Sequence, residues 1–263
     1  MGSATREALA ASRSAIGQAG SADLAVASDL LAAVRVIGAT AQLRSALTDN
    51  EADAPRKRAL VESVFGGRIA PAAASLLVAA SSNRWSSAED FLDGVEQLGL
   101  RVAADSAGDA DIDAELFAFE RTVASDSGLE LALGSKLGSP EAKVGIVDRL
   151  LAGKAQPATV AIVRHLVQNP RGRRIGEMLR DAASVVADQR GFDVATVTTA
   201  VPLSADQLAR LERGLAAQAG RRIRFDTIVD PALVGGVRVQ IGDDVIDGSV
   251  ASRLSSLRQK LAG

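Results

Sequence analysis

LLAAVRVIGATAQLRSAL at residues 30–47 and LFAFERTVASDSGLELAL at residues 116–133 stand 86 positions apart, and the register between them decides the fold. Carried on without a gap, it places Arg35 on Arg121, Leu43 on Leu129, Leu47 on Leu133, Lys57 on Lys143, Val61 on Val147, Gly67 on Gly153, Pro71 on Pro157 and Asn83 on Asn169. Each copy reads as an apolar-periodic helix, a polar turn (TDNEADAP or GSKLGSPE), a short helix ending near glycine, a proline-led helix, a second turn (SSNRWS or QNPRGR) and a closing helix. Two copies imply two similar helical bundles. In the closing helix of the second, Ile175, Met178, Leu179, Ala182, Val185 and Val186 recur at the helical period and leave Glu177, Arg180 and Asp181 outside, so one face is buried. Ahead of the first copy, REALAASRSAIGQAG (6–20) makes a further amphipathic helix around Ala8, Leu9 and Ile16. It has no clear counterpart before the second copy, so the bundles are expected to be incomplete duplicates.

After Gly191 the pattern changes. FDVATVTTAVPL (192–203) is rich in Val and Thr and reads as a strand. In the following SADQL, Ser204 and Gln207 have the spacing of a capping box, and Leu203 and Leu208 that of a hydrophobic staple. A helix therefore starts at Ser204, buries Leu208, Leu211 and Leu215, and stops at Gly220. RRIRFDTIVD sets Ile223, Phe225, Thr227 and Val229 on one face, while VRVQI and DVID supply two more short strands. A last helix from Ser249, with Val250, Leu254, Leu257 and Leu261 on one side, is expected to cover a sheet face. The fold class is mainly α with an α+β C-terminal domain: a helical bundle over 1–106, a second helical repeat over 107–191, and over 192–263 a small mixed sheet with two helices.

Composition narrows the function classes. With 30 Lys and Arg against 32 Asp and Glu, the net charge is −2, which lacks the cationic footprint of a nucleic-acid binder. No Cys is present, so disulfides, thiolate metal sites and cysteine catalysis drop out, and the cytoplasm is the default compartment. The start, MGSATREALAASRS, has no continuous apolar core, and no apolar run reaches the length of a bilayer crossing, so a link to a membrane is expected to run through a partner. His165 stands alone in VRHLVQ and reads as a packed side chain rather than a catalytic one.

DPALVGGVRVQIGDDVIDGS (230–249) holds four Asp and four Gly, which raises a metal or phosphate site as an alternative to turns. Counting a calcium loop from Asp243 puts Val245 at position 3 and Leu254 at position 12, where oxygen ligands are required. Gly153-Lys154 is followed by Ala155 with no glycine five places earlier, so there is no Walker cradle. Turn chemistry accounts for the residues: Gly235-Gly236 entering a strand, Gly242-Asp243-Asp244 in a hairpin, and Asp247-Gly248-Ser249 feeding a helix.

DPALVGGVRVQIGDDVIDGSVASRL (230–254) closely resembles the C-terminal signature of the delta subunit of F-type ATP synthase, the oligomycin-sensitivity-conferring protein family. The signature residues are Asp230, Pro231, Gly235, Gly236, Gly242, Asp243, Asp247, Gly248 and Ser249. The resemblance runs back through VATVTTAVPLSADQLARLERGLAAQAGRRIRF and, more faintly, through both helical copies. Ordinary members carry one bundle. The second resembles the long form of high-GC Gram-positive bacteria, some fused to a membrane-anchored stalk chain, an anchor expected to be absent here. The resemblance implies a non-catalytic stator subunit without cofactor or metal: its helical part clasps N-terminal helices of alpha subunits, and its C-terminal domain holds the b chains. It would lie on the cytoplasmic face of the cell membrane, peripherally, through those partners. The alternative is a helical adaptor unrelated to ATP synthesis. Candidate partner contacts are Leu9, Ile16, Trp85 and the arginines of the NPRGRR turn, Arg171, Arg173 and Arg174; against these stand burial of Trp85 in its own bundle and, for the arginines, a solvated turn whose charges balance nearby carboxylates.

Overall fold

The structure, a computed structural model, describes residues 2–20, 23–135, 137–219, 222–241 and 244–250, without the side chains of 216–219. Gly220, Gly242, Asp243 and the stripe of Leu254, Leu257 and Leu261 lie outside the described residues. The chain forms two compact units, Met1–Val186 and Ala187–Gly263.

The first unit is helical: α1 (Ser3–Ile16), α2 (Leu24–Ala39), α3 (Ala41–Thr48), α4 (Ala54–Phe65), α5 (Pro71–Ser81), α6 (Ala88–Ser106), α7 (Ile112–Ser125), α8 (Ser127–Gly134), α9 (Pro140–Leu151), α10 (Pro157–Gln168) and α11 (Ile175–Gln189), whose end enters the second unit. The bounds of α3 and α4 recur 86 residues later as those of α8 and α9, and the local chemistry recurs with them. Asp53 and Ser139, at the same register, cap α4 and α9 by accepting from the N–H of Arg56 (3.0 Å) and of Ala142 (3.2 Å). Pro71 and Pro157 open α5 and α10, where a missing N–H costs nothing. The N–H just before each proline, of Ala70 and of Gln156, donates to a carboxylate on a neighbouring helix, Asp29 (2.7 Å) and Glu115 (2.9 Å), again 86 apart. Lys57 and Lys143 are both buried, and Lys57 Nζ donates to the Ser81 carbonyl at 2.5 Å, pinning α4 to α5. Leu30 with Leu116, Leu47 with Leu133 and Val61 with Val147 fill equivalent core positions.

The helix expected to have no counterpart has one. The buried residues of α1, Thr5, Ala8, Ser12 and Ile16, map at the same register onto Phe91, Gly94, Leu98 and Val102 of α6, all buried. α1 packs on α5 as α6 packs on α10. α6 thus closes the first copy against α2 and opens the second, which is why it is buried around most of its circumference. The exposed Arg6 and Ser14 of α1 correspond to the buried Leu92 and Leu100 of α6, because α1 faces one layer of helices and α6 two, and that difference hides the match in the sequence. The copies overlap through one helix, and Met1–Val186 form one compact unit.

The second unit runs β1 (Phe192–Thr199), α12 (Ala205–Ala219), β2 (Arg222–Val229), β3 (Val237–Ile241) and β4 (Asp244–Asp247), with sheet order β2-β1-β3-β4. β1 and β2 are parallel, joined by α12, and the other pairs are antiparallel. The capping box forms: Ser204 N–H donates to Gln207 Oε1 (2.8 Å), and Gln207 N–H to Ser204 Oγ (3.3 Å). Ala195, Val197, Leu215, Ile223 and Val239 make the core, with Leu203, Leu211 and Phe225 packed against it. One difference from simple alternation stands out on β2: Val229 is exposed, while Asp226, on the opposite face, is fully buried. Phe192 is closed over by the guanidinium groups of Arg222 and Arg224, 4.2 and 4.6 Å from its ring centre, so charged side chains cover apolar surface at the sheet margin.

Candidate partner-binding site

The signature segment is a knot of backbone contacts. Gly236 takes φ +87, and a Cβ there would stand 2.6 Å from the Gly248 carbonyl oxygen and 2.8 Å from Ser249 Cα, so both its conformation and its surroundings require glycine. On either side, Gly248 N–H donates to Val237 O and Val250 N–H to Gly235 O, each at 3.0 Å. Asp230 N–H donates to Thr199 O (2.8 Å), and the Asp230 carboxylate accepts from Ala232 N–H (2.9 Å) across the turn that Pro231 opens. Asp247 accepts from Ser249 N–H (2.9 Å), and its hydrogen bonds with Ser249 hold its carboxyl below the usual range. The described signature residues therefore shape a turn that carries β4. Among the described residues that strand is one of the two sheet edges, and it exposes Val245 and Ile246 at 45% and 47%. An edge of this kind offers unpaired backbone groups and apolar side chains to a partner.

Of the six candidate contacts, Arg174 is exposed and Leu9, Arg171 and Arg173 are half-buried. Ile16 is buried in the first core. Trp85 is buried too: its Nε1 donates to Ala80 O (2.9 Å), its ring meets Phe91 edge-on at 5.9 Å, and it lies so close over Gly94 that a Cβ there would overlap the indole. Arg171 and Arg173 turn inward onto Glu96 of α6. Arg173 reaches both carboxylate oxygens at 2.9 Å, and Arg171 binds Glu96 Oε2 and also Asp93 Oδ1 (2.6 Å). Arg171 takes φ +44, unique among the described non-glycine residues, which aims its side chain across the turn. The two arginines do balance nearby carboxylates, but from a half-buried position: they clamp the second copy to the shared helix.

Behind them lies His165, 1% exposed, with Nδ1 3.1 Å from Arg35 Nη1 and Nε2 3.6 Å from Glu96 Oε1. Arginine only donates, so Nδ1 accepts and the proton of the neutral ring sits on Nε2, facing Glu96. Burial holds the His165 pKa below its ordinary value, and the neighbouring Arg35 and Arg171 charges add to that, against Glu96. For Glu96, 4% exposed, burial alone would raise the pKa; the contact with His165 and the charges of Arg173 and Arg171 outweigh it and hold it at about 2. With His165 neutral and its Nε2 beyond hydrogen-bond length, the two arginines carry that stabilisation near neutral pH.

Glu96 escapes a reading by residue type, though the stripe that holds it is visible: it falls midway between Leu92 and Leu100 in steps of four. A second signal lies in the repeat. The register partners of Glu96, His165, Arg171 and Arg173 are Ala182, Ala79, Trp85 and Ser87. The charged seam sits where the copies differ, as a device joining unlike surfaces must.

The sequence profile of the ATP synthase delta (OSCP) subunit matches residues 99–261. A protein described as ATP synthase subunit delta from Leifsonia xyli subsp. xyli is 54% identical over 265 aligned positions, covering 100% of each chain. One of the same description from Streptomyces griseus subsp. griseus is 38% identical over 271 positions, again 100% of each chain. Among solved structures, a chain in the mitochondrial ATP synthase hexamer of Toxoplasma gondii aligns with a TM-score of 0.40 at 22% identity, covering 62% of this chain and 97% of that one. With a profile spanning more than half of its residues and relatives matched end to end, this chain belongs to the ATP synthase delta (OSCP) subunit family.

Proposed function

We propose that this chain is the peripheral-stalk subunit of a bacterial rotary, proton-translocating ATP synthase, a structural link that holds the catalytic head against rotor torque. The observation that carries the reading is the end-to-end match at 54% identity to an ATP synthase delta subunit. An adaptor outside ATP synthesis has no comparable observation in its favour. In this reading the helical unit grips N-terminal helices of alpha subunits, and the sheet unit, through the β4 edge and its exposed Val245 and Ile246, holds the b chains. The task calls for no bond making. It calls for several moderate contacts acting together, because tethering at both ends raises the effective concentration of each and slows release. A seam such as Glu96 with Arg171 and Arg173 suits a part under load, since it fixes one copy on the other by directional contacts. Among the described residues no single helix is long and apolar enough to cross a membrane. In this reading attachment on the cytoplasmic face of the cell membrane runs through the b chains.

The experiment is depletion and restoration. Membranes stripped of this chain should lose ATP-driven proton pumping while the released head still hydrolyses ATP, and adding the full chain back should restore pumping. Undiminished coupling in its absence would remove the reading.

A further inference from the structure

His165 stands where the two copies meet, and it is the one histidine of the chain. Its helix, α10, packs on α2, α6, α7 and α9. Two of these bring charge to the ring, each to a different nitrogen. From α2 of the first copy, Arg35 Nη1 donates to Nδ1 at 3.1 Å. From α6, Glu96 Oε1 stands 3.6 Å from Nε2, which has no hydrogen-bond partner among the described residues although the ring is almost fully buried. Arg171 and Arg173, from the turn after α10, hold Glu96, and the Arg171 charge also bears on the ring. Where α7 and α9 bring carboxylates to α10, other groups take them: Glu115 accepts from Thr159 in the first turn, and Asp148 from Arg164 on the exposed face.

The two ring nitrogens make opposite demands on a proton. A guanidinium only donates, so Arg35 is held only while Nδ1 keeps its lone pair. A proton on Nδ1 sets two N–H groups of two cations head to head across 3.1 Å. The same proton turns Nε2–H into the donor of a charged ring, and the 3.6 Å to Glu96 has room to close into a charge-assisted hydrogen bond. Arg35 is not stranded by the loss, because the Leu31 carbonyl on its own helix already accepts from the same nitrogen at 3.3 Å.

We propose that His165 is a proton switch in the joint between the copies: neutral, it ties α10 to α2 through Arg35; protonated, it drops Arg35 and closes on Glu96 of α6. Burial, with Arg35 and Arg171 adding to it against Glu96, holds the ring's pKa below 6.5, so the tie is made at neutral pH and released on acidification. Glu96, at about 2, stays ionised while this happens and keeps its arginines. Acid therefore releases one polar tie between the copies and leaves the other. The register partner of His165 is Ala79, so the first copy has no such switch of its own. The inference concerns the helical unit alone and stands apart from the stator reading.

The test is a nitrogen NMR titration of the full chain with isotope-labelled histidine, in which a single imidazole is followed downward from about pH 8. At neutral pH the ring should carry its proton on Nε2, and its midpoint should lie below 6.5. Arg35→Met should raise that midpoint by about one pH unit, a tenfold gain in proton affinity, and Glu96→Gln should lower it. In the unaltered chain the guanidinium protons of Arg35 should exchange with water at least about tenfold faster below the midpoint, after correction for the pH dependence of exchange itself. His165→Gln should abolish that step. A proton on Nδ1 at neutral pH, a midpoint that Arg35→Met leaves unmoved, a step that survives His165→Gln, or a ring that stays neutral until the unit unfolds would each overturn the switch.

Discussion

Replacing Glu96 by Gln keeps the shape of the side chain and removes the one negative charge between Arg171 and Arg173. A carboxyl held at about 2 instead of 4.5 contributes at most roughly 3 kcal/mol to the folded state, since part of that shift belongs to the contact with His165. Removing one partner of a buried pair typically costs about 3–5 kcal/mol, because the other charge stays behind, so the two routes agree. The sign follows from the lowered pKa. The stabilisation is complete above 4.5, where the unfolded chain is also ionised, and is lost as the pH falls through the window down to about 2. For a unit the size of Met1–Val186, about 3 kcal/mol corresponds to a melting temperature lower by roughly 6–12 °C near neutral pH. Far-ultraviolet circular dichroism melts from pH 7 down to pH 3 provide the measurement. Glu96→Gln should show the drop at neutral pH and a flatter decline on acidification. Arg173→Met in both backgrounds closes a double-mutant cycle that isolates the pair. A drop below about 1 kcal/mol, or the same acid limb in variant and parent, would show that the seam is not what joins the copies.

Gly236→Val should cost about 2 kcal/mol or more, seen as lost hydrogen-exchange protection over 192–250, because valine must take both positive φ and the space of the 248–249 backbone; retained protection would mean that the turn tolerates a side chain. His165, whose folded pKa lies below its ordinary 6.5, contributes stability that is complete above 6.5 and is lost as the pH falls. The slope is at most about 1.4 kcal/mol per pH unit, and His165→Gln should flatten the melting profile between pH 6.5 and 5.5. A chain ending at Gly191 keeps the whole helical unit and should fold, bind the catalytic head and fail to bind the soluble part of the b stalk in pull-downs. Stalk binding without head binding would reverse the two ends.

What could be read in the sequence was what one helix or one turn determines by itself. Ser204 and Gln207 announce their cap because the partners are three residues apart. The stripe of α11 announces its buried face because period and burial are the same fact along one helix. The seam could not be read that way. Arg171 and Glu96 are separated by 75 residues, and whether an arginine in an NPRGRR turn meets water or a carboxylate depends on which face of α6 stands opposite. Trp85 and Arg171 share a register, and each is buried or engaged by a different neighbour: an indole over Gly94 in one copy, a guanidinium on Glu96 in the other. Asp226 belongs to the same class, since alternation along β2 gives it a face and says nothing of what covers that face.

The place of α6 explains how a second bundle was accommodated without a second boundary. The family profile begins at residue 99, inside α6, and runs on through α7 to α11 and the sheet. α1 to α5 precede it and repeat the order of α6 to α10. A helix that opens a bundle has one buried face and one wet face, and a neighbouring bundle is built most economically by burying the wet face too. That demands apolar residues where α1 exposes Arg6 and Ser14, and α6 supplies the buried Leu92 and Leu100. It also demands a feature that stops the new interface from sliding along the helix axis, since apolar contact alone is indifferent to a shift of one turn. Glu96 supplies it. A carboxylate held by two arginines from one turn fits at a single height, and a displacement of one turn, about 5.4 Å, would leave it buried and unpaired. The apolar face provides the adhesion and the charged seam the register, and a stator that must transmit torque without creep needs both.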